Sequence, residues 1–156
     1  QQLNTWFADT RAMRLPVAGT VARGELRDDD HYYRGLHAEG YAEEFPVELT
    51  APLLERGRQR YDIYCAPCHG LSGHGDGIVS RRADRLQQGT WVPPASLHDE
   101  PAYSRPSGHI FNTITNGIRN MPGYGSQIDV RDRWAIVAYV RTLQLSQYAP
   151  LPARVA

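Results

Sequence analysis

Cys65-Ala66-Pro67-Cys68-His69 is the stretch of this 156-residue chain whose residue types and spacing most directly specify chemistry. Two thiols at i and i+3 can add to two vinyl groups on one edge of a porphyrin. A histidine directly after the second thiol can then reach the metal at the centre. The pattern predicts one c-type haem, covalent through Cys65 and Cys68, with His69 as an iron ligand. Other uses of a Cys-x-x-Cys pair fit less well. A structural zinc site needs four ligands, and the chain has 2 cysteines. A thioredoxin-like pair belongs between a strand and a helix in a βαβ unit, and no such alternation surrounds these residues.

A haem histidine leaves the opposite iron position to be filled or left open. Met/His ligation raises the potential and leaves no place for a substrate, whereas an open position would suit a peroxidase or a sensor. Of the 2 methionines, Met13 lies early in the chain, and Met121 sits in the turn-rich Arg119-Asn120-Met121-Pro122-Gly123-Tyr124-Gly125. Loop backbone can bring a thioether in from the face opposite His69, so Met121 is the expected second ligand, with His74, His98 and His109 as rivals. His69 should donate its remaining ring N–H to a backbone carbonyl near Pro93 or Pro94. Trp91, Arg119 and Tyr124 are candidate donors to the haem propionates.

These residues need elements to hold them. Thr50 is a plausible N-cap, and Pro52 is tolerated in a first turn. Leu53, Leu54, Gly57, Tyr61 and Tyr64 then share one face of a helix that runs into the motif. Gly57 in mid-helix costs roughly 1 kcal/mol relative to Ala, which a close crossing by a second helix would explain. Residues 70–107, punctuated by Gly70, Gly73, Gly75, Gly77, Pro93, Pro94, Pro101 and Pro106, read as loop able to wrap a haem, with short helical turns around 80–86. A second helix is expected from Ser107 as cap to Ile118, with His109, Ile110, Phe111, Ile114 and Ile118 as its apolar side. The last should follow Asp129 and run to about Leu145. On it Val130, Trp134, Val137 and Arg141 form one line, widened by Ile136, Tyr139, Val140 and Leu143.

The first third of the chain has a different character. Residues 1–50 carry 5 Arg against 9 Asp/Glu, although the whole chain balances 17 basic against 17 acidic residues. Overall neutrality gives no bulk reason to expect nucleic-acid binding. Every basic residue is Arg, whose planar fork suits fixed interfaces, although high-GC codon bias explains the same usage at least as well. Periodicity is weak over residues 1–49, yet Trp6, Phe7, Tyr32, Tyr33, Tyr41 and Phe45 make them too aromatic for an ordinary disordered tail. The expectation is an extended N-terminal docking arm over 1–49, ordered on other subunits, and a haem domain over 50–156. The longest clean apolar run, Trp134 to Val140, is far short of the ~20 residues of a membrane helix. No basic-then-apolar leader stands at Gln1. Because covalent haem is attached outside the bacterial cytoplasmic membrane, the chain is expected to be a mature, exported form.

Residues 50–146 resemble a class I cytochrome c in having a helix leading into Cys-x-x-Cys-His, a Met-Pro loop and a Trp/Tyr-bearing last helix. That resemblance implies an all-α cytochrome c fold of three to five short helices around one haem. It also implies a crossing of the first and last helices at Gly57 and Tyr61 against Ile136 and Tyr139. A narrower resemblance lies in Arg14-Leu15-Pro16-Val17-Ala18-Gly19-Thr20-Val21-Ala22-Arg23-Gly24-Glu25-Leu26-Arg27, followed by Tyr32-Tyr33-Arg34-Gly35. These are similar to the N-terminal segment of the monohaem cytochrome c subunit of bacterial alternative complex III, a quinol:electron-acceptor oxidoreductase. What this implies is an electron-transfer subunit, not itself an enzyme, peripheral on the periplasmic face of the inner membrane. Its neighbours would be a multihaem subunit and an external cytochrome, copper protein or oxidase, with membrane contact mainly through partner subunits. A lipid anchor, frequent in that family at an N-terminal cysteine, is not expected on a chain that starts at Gln1. The alternative is a freely diffusing electron-shuttle cytochrome.

Overall fold

The computed structural model describes residues 3, 5–12, 17–87 and 89–148, so Met13 and the Arg14-Leu15-Pro16 start of the arm pattern lie outside them. In chain order the elements are α1 (Asp30–Arg34), β1 (Leu36–His37), β2 (Gly40–Tyr41), α2 (Ala51–Tyr64), α3 (Ala66–His69), α4 (Ile78–Arg85), α5 (Ser107–Asn116), β3 (Gly117–Ile118), β4 (Met121–Pro122) and α6 (Val130–Tyr148). Helices dominate, and the strands form two minimal antiparallel hairpins, β1 with β2 and β3 with β4. This is the all-α cytochrome c fold expected.

Thr50 caps α2, its hydroxyl accepting from the Leu53 N–H at 3.3 Å. The apolar face of α2 then meets α6, the longest helix. Trp134, Ala135, Ile136 and Val137 are fully buried there, as is Tyr61 on α2. The two helices approach closely enough to require the glycine. A Cβ on Gly57 would stand 2.0 Å from the Ala135 carbonyl oxygen and 3.1 Å from the Tyr139 Cβ. Tyr139 is thus at the crossing as expected, and its ring meets Tyr61 edge-on at 5.3 Å. Ile136 is buried, but the backbone facing Gly57 belongs to Ala135. Arg56 locks the same pair of helices through a two-pronged bond to Asp132, at 2.8 and 2.7 Å. Gly57→Ala should therefore lower stability by roughly 1–3 kcal/mol despite alanine's better helix propensity. A thermal melt no lower than that of the parent would contradict the crossing.

Two helix ends differ from expectation. Ser107 is the first residue of α5 and not its cap, because Pro106 holds the cap position and makes no side-chain bond. The Ser107 hydroxyl instead accepts from Arg141 Nε at 3.3 Å. α5 also stops at Asn116, since Gly117 turns to a positive φ of 82° and opens the β3–β4 hairpin.

The N-terminal third is not one extended arm. Asp29 caps α1 by accepting from the Tyr32 N–H at 2.9 Å, and Gly35, at φ 71°, ends it. The chain then lies directly on α5, where a Cβ on Gly108 would come within 2.0 Å of the Gly35 carbonyl oxygen. Between them Ala42 donates to the Gly35 carbonyl and accepts from the Gly108 N–H, at 2.9 and 2.7 Å. The Tyr32 carbonyl accepts from Trp134 Nε1 at 2.8 Å. Phe45 meets the same indole at 5.8 Å, while Phe111 stacks on it at 4.3 Å. A boundary at residue 49 therefore cuts through packed core, and residues 29–47 belong structurally with the helices. Before them Leu3, Trp6, Val17, Val21 and Leu26 are exposed.

Candidate haem site

The motif begins where α2 runs out. Cys65 caps α2 with its φ opened to −107°, and α3 is a single turn carrying Ala66, Pro67, Cys68 and His69. Pro67 costs nothing here because a first-turn N–H has no helical acceptor. The motif's backbone is held from several directions. Cys68 and His69 donate back to the Cys65 carbonyl at 3.1 and 2.8 Å. The Cys68 carbonyl accepts from Gly77 N–H at 3.0 Å and from the Ser80 hydroxyl at 3.2 Å. The buried Tyr61 hydroxyl donates to the Gly70 carbonyl at 2.8 Å, and burial raises that phenol's pKa far above its ordinary value. Gly77 has to be glycine, since a Cβ there would meet the carbonyl oxygens of Pro67, Cys68 and Ala66 at 2.3–2.6 Å.

Both thiols are free. Burial, and then the neighbouring Cys68, push the Cys65 thiol up to about 12. A thioredoxin-type nucleophile needs the opposite shift. His69 lies behind them with its Nδ1 buried and making no hydrogen bond. Burial lowers the pKa of this imidazole, opposed by the backbone of Ala95, and a neutral ring is the form that binds a metal. That backbone neighbour is the residue directly after Pro94. The Pro94 carbonyl faces Gly75, where a Cβ would come within 2.4 Å. The Gly75 N–H in turn bonds the His69 carbonyl at 2.8 Å.

The β3–β4 hairpin carries Met121, paired with Ile118. Arg119 makes the turn at φ 51° and is exposed. Past the hairpin the chain folds back onto the motif. Tyr124 donates its N–H to the Ile114 carbonyl at 2.8 Å, and its ring meets that of Tyr64 at 6.2 Å. Its phenol is pushed up by burial first, and then by Cys68 and Cys65. Tyr124 therefore packs against the last residue of α2, directly before Cys65. Trp91 is half-buried, with a buried Nε1 that has no partner. It lines a groove of about 430 Å³ together with the buried Ser80 and the exposed Arg81 and Pro93. Among the described residues, no hydrogen bond or ring contact joins Trp91 to Tyr124 or Arg119. The rival histidines have other neighbours: His98 Nε2 lies 2.6 Å from the Ser72 carbonyl, His74 stacks on His98, and His109 packs against Tyr41.

The residues fit a covalent haem. Two free thiols stand one turn apart on a rigid turn, followed by a neutral histidine. Two buried ring nitrogens, His69 Nδ1 and Trp91 Nε1, are short of partners, a state otherwise uncommon in protein interiors. The family described as cytochrome c oxidase, cbb3-type, subunit III matches residues 52–140, more than half of the chain. The chain belongs to this family of c-type cytochromes. Membership implies a covalently bound haem c and electron transfer as the work of the domain. Among solved structures, the reducing HAO-like protein complex of Kuenenia stuttgartiensis is similar, with a TM-score of 0.50 and 18% identity over 73% of this chain. The cytochrome covers 54% of that neighbour, about half its length, and the likeness is one of fold. No curated protein matches it. No helix among the described residues is long and apolar enough to cross a membrane.

Sequence reasoning missed the polar clamp behind His69. Gln144 on α6 is 2% exposed and donates to the Leu97 carbonyl at 2.6 Å. Arg141 donates to the carbonyls of Tyr103 and Arg105 and to Gln144 Oε1. Leu97 itself donates to the Gly73 carbonyl at 2.8 Å. The last helix thus holds the loop that faces the histidine. A signal was present, for Arg141 falls on the Val130-Trp134-Val137 line and Gln144 is its next position. Polar residues on a core stripe need buried acceptors.

Proposed function

We propose that this cytochrome is a one-electron carrier in which Cys65 and Cys68 hold the haem and His69 and Met121 are the iron ligands. The observation that carries this reading is the return of the chain to the motif just past the Met121 hairpin, where the Tyr124 ring meets that of Tyr64, the residue before Cys65. When bound, the haem supplies reversible one-electron chemistry at a potential set by its ligands and burial. The chain's own residues keep its surroundings fixed. Gly77 and Ser80 hold the Cys68 carbonyl, and Tyr61 holds the turn after His69. The 95–98 loop and Gln144 keep the histidine's backing in place. Such rigidity limits rearrangement between oxidation states. With two protein ligands the metal offers no open site, which distinguishes a carrier from a peroxidase or a sensor.

The wider role is that of the monohaem subunit of a membrane-bound quinol-oxidising complex of the alternative complex III type. It receives electrons from a multihaem subunit and passes them to an external cytochrome, copper protein or oxidase on the periplasmic face. The Val17–Arg27 pattern supports this reading, as do the exposed Trp6, Val17, Val21 and Leu26 ahead of α1. In mild detergent the native protein is expected to migrate with a large membrane complex, and its ferric spectrum to show an iron–sulfur charge-transfer band. Migration only as a monomer would support the freely diffusing shuttle instead, and absence of the band would remove Met121 as ligand.

A further inference from the structure

Helix α4 is inside out. Its large apolar residues Ile78, Val79 and Leu86 (the last at its C-cap) are 68%, 39% and 52% exposed, whereas Ser80 and Ala83 are 7% and 5% exposed. An ordinary surface helix does the reverse, burying large apolar side chains and showing small or polar ones. The inversion has a local cause. Gly77, Ser80 and Ala83 present little bulk, and Gly77 and Ser80 both bond the Cys68 carbonyl, so α4 lies flat against the haem-attachment turn. The cost is an outward face on which Ile78, Arg82 and Arg85 follow one helical line and Val79, Arg82 and Leu86 the next. Arg81, Arg82 and Arg85 are exposed on this helix, and Asp84 is its one acid. Leu71, two residues past the motif, adds 69% exposure nearby in the chain.

We propose that this face is the docking surface for a redox-partner protein whose own contact face is acidic around an apolar centre. The inference rests on the electron-carrier reading above and adds the partner's chemistry and its place of contact. Charge complementarity indicates the sign: three guanidinium groups against one carboxylate favour an anionic partner and planar, two-pronged pairing with its carboxylates. The apolar residues provide the desolvated centre that such interfaces need. Position indicates the purpose: among the described residues α4 is the helix whose Gly77 cap and Ser80 bond the Cys68 carbonyl, so a protein seated on its outer face is one helix thickness from the haem-attachment turn. A membrane surface is the weaker occupant, since three apolar side chains on a two-turn helix bury too little to anchor it.

The test uses the haem-loaded full chain and a small blue-copper protein with an acidic docking face as probe. Stopped-flow electron transfer should be fast at low salt and fall steeply as ionic strength rises. Arg82→Glu/Arg85→Glu should slow it by about tenfold or more, and Ile78→Ser should slow it with the salt dependence retained. The ferric spectrum and midpoint potential of these variants should stay as in the parent. A double variant that reacts at the parental rate, with the carrier spectrum intact, would overturn the docking face alone. Loss of all exchange in the parent would overturn the carrier reading and the docking face together. Binding of the parent to phosphatidylglycerol vesicles, lost in the double variant while the copper-protein rate is unchanged, would reassign the face to a membrane.

Discussion

Met121→Ala is expected to leave the haem attached and to lower the midpoint potential by on the order of 100 mV or more. The proposed attachment residues Cys65 and Cys68 share no hydrogen bond with the hairpin among the described residues, so mass and denatured haem spectrum should match the parent. The potential depends on the second ligand. A thioether is a soft donor that favours the ferrous state. Its loss leaves water or a stronger base at that position and stabilises the ferric state. The same variant should lose the iron–sulfur charge-transfer band and gain the ability to bind small exogenous ligands. An unchanged potential and band would show that Met121 is not the ligand, and His74, His98 and His109 would be next to examine. The fold should tolerate the change, because Met121 is only half-buried and the hairpin is held by backbone. Gly117 donates to Thr113, Tyr124 to Ile114 and Gly125 to Thr115.

Two truncations should separate sharply. Removing residues 1–27 takes away chain that is exposed at nearly all of its described residues and ought to shift the melting temperature of the haem-loaded protein by no more than a few degrees, while weakening association with partner subunits. Removing residues 1–47 takes away the acceptor for Trp134 Nε1, the Phe45 ring against the same indole, the nearly fully buried Ala42 and the packed Val47. Two or three apolar side chains at roughly 1.5–3 kcal/mol each, plus an indole N–H left without its acceptor at about 1–3 kcal/mol, approach the whole stability of a small domain, about 5–15 kcal/mol. The longer deletion should therefore give a protein that melts tens of degrees lower or fails to accumulate with haem. Equal melting of both would mean that residues 29–47 contribute little and that the arm is separable up to residue 47 after all.

The aromatics of the arm pointed to a segment ordered by packing on other subunits, whereas residues 29–47 pack on the chain's own helices. What one dimension does not show is the surface it packs on. Tyr32 and Phe45 have no periodic relation to Trp134, and the close approach of Gly35 to Gly108 is a backbone contact between distant glycines. Neither leaves a local pattern. For the same reason the sequence does not show which backbone group of the 93–95 loop meets His69, because the register of a loop against a ring is set by what holds the loop at its ends. Here that is Gln144 from α6 and Gly73 from the opposite strand of loop.

By itself the sequence determined the class of cofactor, the helix entering the motif and the need for a close crossing at Gly57. Each of these is a short-range matter: thiol spacing, capping chemistry and a glycine where a helix ordinarily avoids one. Tertiary structure decided the rest. It made residues 29–47 part of the haem domain, turned Gln144 into a buried clamp, and pressed the small side of α4 against the attachment turn so that Ile78, Val79 and Leu86 face outward. In an isolated helix those apolar residues would read as the buried side. Which side is inside depends on what a helix must lie against, and α4 lies against a turn whose carbonyls leave room only for glycine, serine and alanine.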